Sequence, residues 1–351
     1  MSWVASLARP EIVALKSFEP AAWEPGVTRM NANELPWRAA ADESLAGLNR
    51  YPDPRARALI DRLAEVYRVA PESLLVCRGS DEAIDLLVRA FCRPSSDNIL
   101  ICPPTYGLYA LAAGIQGAGV VSVPLVAADG FSLDTHALLE RCTGLVKVVF
   151  LCCPNNPTGN LLSKSVILEV AETLAQRALV VVDEAYIEFS HRQSLAVHIP
   201  RYPHLAVLRT LSKAHGLAGA RLGTLIADRE VIQLLRKIIA PYAVPQLILE
   251  AVTTLLSPLH LRTLQRRIAQ VRAERARLQE TLAALANVTA VLPSETNFLL
   301  ARFKNPDAAL SRAGAARIRV RDVRGYLGLS DALRISVGRA DENDRLLRAW
   351  A

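Results

Sequence analysis

Val180-Val-Val-Asp183-Glu-Ala-Tyr186 is the stretch on which the fold turns: three β-branched apolar residues stop abruptly at a carboxylate. Further on, Ala206-Val-Leu208 runs into Arg209-Thr-Leu-Ser-Lys213, so a second apolar run stops at hydroxyls and at a lysine 30 residues after Asp183. Short apolar runs with polar ends read as buried strands of a parallel sheet. Such sheets bind ligands in the crevice beyond the carboxyl ends of their strands. An acid and an amine are thus expected in one crevice.

The same punctuation recurs on both sides. Leu74-Leu-Val-Cys77 ends at Arg78-Gly79-Ser80, and an amphipathic helix follows from Asp81 to Cys92. Ile99-Leu-Ile-Cys102 ends at Pro103-Pro104-Thr105-Tyr106. Val120 to Leu125 and Val146 to Cys153 are further strands, the second ending at Pro154-Asn155-Asn156-Pro157-Thr158-Gly159. A helix over about 164–176 precedes the Val180 strand, and Leu222 to Ile226 reads as a strand whose short connection favours an antiparallel course. This alternation predicts an α/β fold with a mostly parallel sheet covered on both faces.

Pro241 and Pro245 break the pattern and mark the expected domain boundary. The chain divides into an arm over residues 1–30 that joins the small domain or a dimer contact, a large domain over 31–245, and a small α+β domain over 246–351. A helix to about 257 leads into a longer one over roughly 259–286, with Leu261, Leu264, Ile268, Val271, Leu278, Leu282 and Leu285 at three-and-four spacing. A coiled coil fits that stripe, and so does a helix laid across the domain junction, which is preferred. Val288 to Leu292, Phe298 to Phe303, Ile318 to Val320 and Leu333 to Val337 supply the smaller sheet.

Composition excludes several classes. With 51% hydrophobic and 21% charged residues, the 351-residue chain is globular and can bury a large core. Its net charge of +7 is carried largely by arginines interrupted by Glu and Gln, with no nucleic-acid-binding motif beside them. The six cysteines (Cys77, Cys92, Cys102, Cys142, Cys152, Cys153) form no CxxC pair and are read as reduced and buried. Arg9, Pro10 and Glu11 interrupt the N-terminus, which argues against a signal peptide, and no run is apolar enough to span a membrane. The expected compartment is the cytoplasm. Gly117-Ala-Gly119-Val-Val-Ser122 lacks the third glycine of a dinucleotide loop and precedes a strand, which excludes that reading. Neither a Walker A sequence nor a Gly-x-Ser-x-Gly elbow occurs, and the histidines lack metal-ligand spacing, so no metal is expected.

Four polar clusters remain at strand ends: Gly79 to Glu82, Asn155 to Gly159, Asp183 to Tyr186, and Ser212-Lys213 with Arg221. Together with Asn33-Glu34-Leu-Pro36, Arg50-Tyr51-Pro52, Cys102-Pro-Pro-Thr-Tyr106-Gly107 and Arg209-Thr-Leu-Ser-Lys213, the set resembles the pyridoxal-phosphate-dependent aminotransferases of fold type I, class II, and within them the histidinol-phosphate aminotransferase family. The resemblance runs from about residue 30 to 337. It implies a large domain with a sheet of seven-stranded type, bound pyridoxal 5'-phosphate, a homodimer with shared sites, and transamination of a small-molecule amine donor, L-histidinol phosphate, with 2-oxoglutarate. An aromatic aminotransferase or an amino-acid-phosphate decarboxylase on the same scaffold is the alternative.

The resemblance also implies roles. Lys213 bonds to the cofactor's aldehyde and later shuttles a proton as a free amine; a lysine at a strand end is otherwise a surface charge. Asp183 pairs with the pyridine nitrogen, where the plain alternative is a helix cap or structural ion pair. Tyr186 and Asn156 donate to the ring's phenolate oxygen, although an Asn-Pro-Thr-Gly segment is also an ordinary turn. Tyr106 lies on the ring face or is a half-buried core aromatic. Arg221, the helix start at Ser80, Asp81 and Glu82, and the hydroxyls of Thr210 and Ser212 take the phosphate; the side chains at the helix start also fit as caps. Tyr51 matches a position that reaches the phosphate of the neighbouring subunit. Arg321 and Arg334 match the arginines that hold the substrate's anionic end, with Asn33, Tyr242 and Asn297 beside them. One position departs: where the family often has a tyrosine in the N-terminal arm, this chain has Phe18.

Overall fold

The computed structural model describes residues 3–22, 24 and 26–351. Seven strands form one sheet: β1 (Leu74–Cys77), β2 (Asn98–Ile101), β3 (Gly119–Ser122), β4 (Val146–Cys152), β5 (Leu179–Asp183), β6 (Leu205–Thr210) and β7 (Gly223–Ile226), in the spatial order β1-β7-β6-β5-β4-β2-β3. β6, β5, β4, β2 and β3 run parallel, and β7 is antiparallel to both β6 and β1. The expected antiparallel course of Leu222 to Ile226 therefore holds.

β4, β5 and β6 are apolar on both faces because both are covered. Val180, Val182, Val207 and Leu205 join one core with the helices Arg57–Tyr67 and Lys164–Thr173. Leu179, Val181, Ala206 and Leu208 join the other with Gly79–Phe91, Leu108–Gln116 and Arg229–Arg236. Alternate side chains of one strand thus enter opposite layers.

A second sheet, all antiparallel in the order β10-β11-β9-β8, is built from β8 (Val288–Val291), β9 (Phe298–Phe303), β10 (Arg321–Asp322) and β11 (Ala332–Ser336). Ile318 and Val320 pack against its core, but the pairing falls one step later, at Arg321 and Asp322. The long helix runs Pro258–Ala283. Its Leu261 packs on the large-domain core, Ile268 and Val271 against Tyr186 and Phe298, and Leu278 and Leu282 into the small core, so the helix crosses the junction.

The packing bears on one expected boundary and on where the arm docks. The helix Gln246–Leu255 packs on the helix Arg57–Tyr67 of the large domain and buries Leu249 and Val252 in the core that also holds Leu59 and Leu63. Pro245 stands at that helix's N-cap, where a missing N–H costs nothing, and so opens a helix of the large domain instead of ending the domain. The start of the arm does not join the small domain either. Val4, Ala5, Ala8 and Ile12 enter the large-domain core, Arg9 N–H donates to Ala90 O (2.9 Å) and Lys237 Nζ to Val13 O (2.6 Å). Burying four apolar side chains outweighs the cost of ordering a short segment. Among the described residues, no helix is long and apolar enough to cross a membrane, and no group of His, Cys, Asp and Glu could hold a metal.

Candidate active site

Three neighbouring parallel strands end side by side, and their ends make the site. Asp183 is the last residue of β5 and is 3% exposed. Its Oδ2 accepts the Tyr109 hydroxyl (2.7 Å) and its Oδ1 the Ala185 N–H (3.1 Å). Burial pushes its pKa up to about 6, and the Tyr109 and Ala185 donors and nearby Lys213 only partly offset that. Lys213 follows β6, with its ammonium 5.8 Å from the Tyr186 ring centroid. Desolvation lowers its pKa, and Arg334 adds repulsion in the same direction. The lysine is biased toward the free amine, and a buried carboxylate faces it across the cleft.

An anion cradle lies on the next side. Ser80, Asp81 and Glu82 begin the helix Gly79–Phe91, whose first backbone N–H groups have no partners within the helix. Asp81 accepts from both Tyr106 Oη (3.1 Å) and Arg221 Nη2 (3.1 Å), which ties the aromatic, the acid and the arginine together. Glu82 is spent elsewhere: it caps the Arg78 N–H (2.7 Å) and pairs with its guanidinium (2.6 Å), so only its backbone faces the cradle. Glycine is required here twice. Gly79 has φ +79°, and a Cβ on it would meet Arg221 Nη2 at 3.0 Å. A Cβ on Gly223 would come within 2.3 Å of Ser80 N. Thr210 is buried and accepts the Ser212 N–H (3.1 Å), which shapes the turn into Lys213.

The third side belongs to the small domain. Asn156 Oδ1 accepts from Arg334, leaving the Asn156 amide N–H groups to donate into the cleft. Arg334 lies 5.1 Å from the Phe298 ring, which meets the Tyr186 ring edge-on at 5.2 Å. Arg321 is the cross-strand neighbour of Arg334, and Asn297 directly precedes Phe298. The neighbouring Asn155 is structural: it bonds Pro104 O, Thr105 and Thr158 and joins the two loops that flank the cleft.

Tyr51, Tyr242 and Asn33 sit in a separate patch. Tyr51 stacks on Tyr242 at 4.5 Å. Asn33, exposed and at φ +56°, precedes Glu34, which binds Arg29, Arg50 and the Tyr51 N–H. Phe18 and Tyr242 line a cleft of about 1060 Å³ together with Arg55 and Arg236. Among the described residues, none of Tyr51, Tyr242 and Asn33 makes a hydrogen bond, ion pair or ring contact with the Asp183–Lys213 cluster of its own chain.

Two features escape the reading of the sequence. Tyr109 is one, although it follows Tyr106 by three residues in the sequence and meets that ring edge-on. The other is a buried ionic cluster that brackets Lys213. Arg209 bonds Glu188 (2.7 Å) and lies 4.6 Å from the Tyr67 ring, while His215 Nε2 stands 3.7 Å from the same carboxylate. Burial opposes the Glu188 charge, but Arg209 and His215 outweigh it and hold the carboxyl down at about 2.

Residues 29–349 match the family model for aminotransferases of class I and II. The chain belongs to that family. Histidinol-phosphate aminotransferase from Xanthomonas euvesicatoria pv. vesicatoria (strain 85-10) is 47% identical to it, over 99% of this chain and 97% of the other. The enzyme of that name from Stenotrophomonas maltophilia (strain R551-3) is 46% identical over 99% and 96%. A solved histidinol-phosphate aminotransferase from Sinorhizobium meliloti in complex with pyridoxal-5'-phosphate superposes with a TM-score of 0.77, at 25% identity over 86% of this chain and 82% of that one. L-threonine-O-3-phosphate decarboxylase from Porphyromonas gingivalis superposes nearly as well, with a TM-score of 0.74 at 25% identity over 86% and 90%.

The cofactor of this aminotransferase is pyridoxal 5'-phosphate, and the residues present fit it. Asp183 is a buried acid that, among the described residues, takes hydrogen bonds from two neutral donors and from no cation, so a ring N–H would give its charge a direct partner. The helix N-terminus, the Gly79 gap and Arg221 make a cradle for a phosphate. Lys213 supplies an amine of lowered basicity.

Proposed function

We propose that this aminotransferase moves the amino group of L-histidinol phosphate to 2-oxoglutarate, giving imidazole acetol phosphate and L-glutamate in histidine biosynthesis. The observation that carries the substrate is the 47% identity with a histidinol-phosphate aminotransferase along essentially the whole of both chains. The scaffold alone does not choose it, since a phosphoamino-acid decarboxylase shares the shape.

When bound, the cofactor supplies an electron sink for the pair left as the substrate Cα–H bond breaks. The chain does the rest. Lys213 Nζ, held toward its neutral form by desolvation and by Arg334, takes the proton from the substrate's Cα. Asp183 holds the proton of the ring nitrogen; the Tyr109 hydroxyl and Ala185 N–H keep its carboxylate in place. Tyr186 and the Asn156 amide would donate to the ring oxygen, and Tyr106 would hold the ring. Arg221, the backbone of Ser80 to Glu82, Thr210 and Ser212 hold the phosphate. Arg334 and Arg321, adjacent across β10 and β11, receive the anionic end of the substrate with Asn297 beside them.

Tyr51, Tyr242 and Asn33 serve the site of a second copy, so the enzyme works as a homodimer with shared sites. The lack, among the described residues, of any bond from them to their own Lys213 and the exposed apolar residues Phe18, Met30, Trp37 and Leu45 support this. Six free, buried cysteines suit the cytoplasm.

The test is a half-reaction followed by the visible absorbance of the bound cofactor. Loss of that absorbance with L-histidinol phosphate, and its return with 2-oxoglutarate, is the expected outcome. Equal conversion by phenylalanine or tyrosine, or carbon dioxide release from threonine phosphate, would move the function to the related activities.

A further inference from the structure

We propose that Tyr109 is a positioning residue for cofactor recognition, whose hydroxyl holds Asp183 as the ionised, correctly turned partner of the cofactor's ring nitrogen. The inference rests on the assignment of Asp183 to that nitrogen. Tyr109 is fully buried and reaches Asp183 Oδ2 at 2.7 Å. Its ring is fixed on two sides, stacked on Phe150 of β4 at 4.7 Å and 6°, and edge-on to Tyr106 at 5.6 Å and 86°. A ring clamped in this way cannot swing its hydroxyl away, so the donor stays aimed at one carboxylate oxygen.

The chemistry is one-directional. A phenol donates to a carboxylate but gains much less from a protonated acid, so the bond favours the charged form. Asp183 needs that help, because burial and the like charge of Asp81 both oppose ionisation, and the Ala185 N–H is its other close donor. A core tyrosine whose hydroxyl merely found a partner would serve as well bonded to a backbone carbonyl. Here the partner is the one buried acid at the end of the central strand. Cys152 is also close to the Tyr109 hydroxyl, but its thiol is held neutral by burial and offers no competing charge.

The test compares two ligands on cofactor-free protein: pyridoxal 5'-phosphate, and its analogue with carbon in place of the ring nitrogen. Equilibrium affinity for each is measured on wild type, Tyr109→Phe, Asp183→Asn and the double variant. The ratio of the two affinities is read within one sample, so a partly misfolded preparation does not shift it, and Tyr109→Phe keeps both ring contacts. Tyr109→Phe should cut the preference for the natural ligand by roughly tenfold or more, the size of a hydrogen bond to a charged group, with little change toward the analogue. In the double variant it should add nothing to Asp183→Asn. Equal weakening of both ligands, no change in either, or additive effects would overturn the role of Tyr109. If Asp183→Asn itself leaves the preference intact, the assignment of Asp183 falls, and this inference with it.

Discussion

At Asp183 the protein bears a cost for its chemistry. Its pKa rises from 3.8 to about 6 because the folded chain buries the carboxyl. A group whose pKa is raised on folding stabilises the fold fully below its unfolded value, and that contribution is lost as the pH climbs through the folded value. Two units correspond to about 3 kcal/mol lost between about pH 4 and neutrality in the cofactor-free protein. Asp183→Asn should therefore make the cofactor-free chain more stable by up to that amount at about pH 8, with almost no gain at about pH 4. Urea unfolding at the two pH values measures it, and an equal difference at both would show that the acid's charge is not the cause. Added cofactor should reverse the order. The Asp183 and Lys213 positions were legible because each ends an apolar run. Tyr109 was not, because a tyrosine inside Leu108–Gln116 looks like any core aromatic until the helix is laid on β4.

At the scale of elements, the proposed phosphate cradle depends on how closely β7 approaches the helix Gly79–Phe91. The strand begins at Gly223, where a Cβ would meet backbone atoms, Ser80 N at 2.3 Å and Gly79 C at 2.5 Å. Backbone cannot rotate aside as a side chain can, so Gly223→Ala must push strand and helix N-terminus apart. Overpacking of this kind costs about 1–3 kcal/mol, and the expected result is a lower melting temperature together with weaker cofactor binding. A variant with unchanged cofactor affinity would show that the helix start does not hold the phosphate. Glycine at this place was visible in Arg221-Leu-Gly223, but its reason was not, since the partner atoms lie more than a hundred residues away in the chain. The helix Gln246–Leu255 makes the same point: two prolines look like a boundary, and only the burial of Leu249 and Val252 returns the helix to the large domain.

At the scale of the whole molecule, one chain carries two groups of candidate site residues: Asp183, Lys213 and Arg334 at the cleft, and Tyr51 stacked on Tyr242. If the second set completes the site of another copy, mixing inactive Lys213→Ala protomers with impaired Tyr51→Phe protomers should restore activity. Each mixed dimer then holds one site with a native lysine and a native tyrosine. Recovery of up to about a quarter of wild-type activity after random subunit exchange is expected. Activity no greater than the average of the two parents would assign Tyr51 to its own chain. The arginines of the long helix act within the chain: Arg272 bonds the carbonyls of Glu188, Phe189 and Ser190, and Arg275 bonds that of Thr296, so the junction helix grips both domains beside the site.

The sequence by itself determined the strand ends, and so the acid, the amine and the Asn156 turn, because an apolar run that stops at a polar residue is a local pattern; the arginines came from the family resemblance. It also determined the α/β alternation and the helix across the junction. Only the tertiary structure decided that Tyr109 meets Asp183, that Gly223 lets a strand touch a helix start, and that Glu188 and Arg209 brace the Lys213 turn. Each of these joins residues far apart in the chain, and their meeting depends on how layers pack, which no local pattern records.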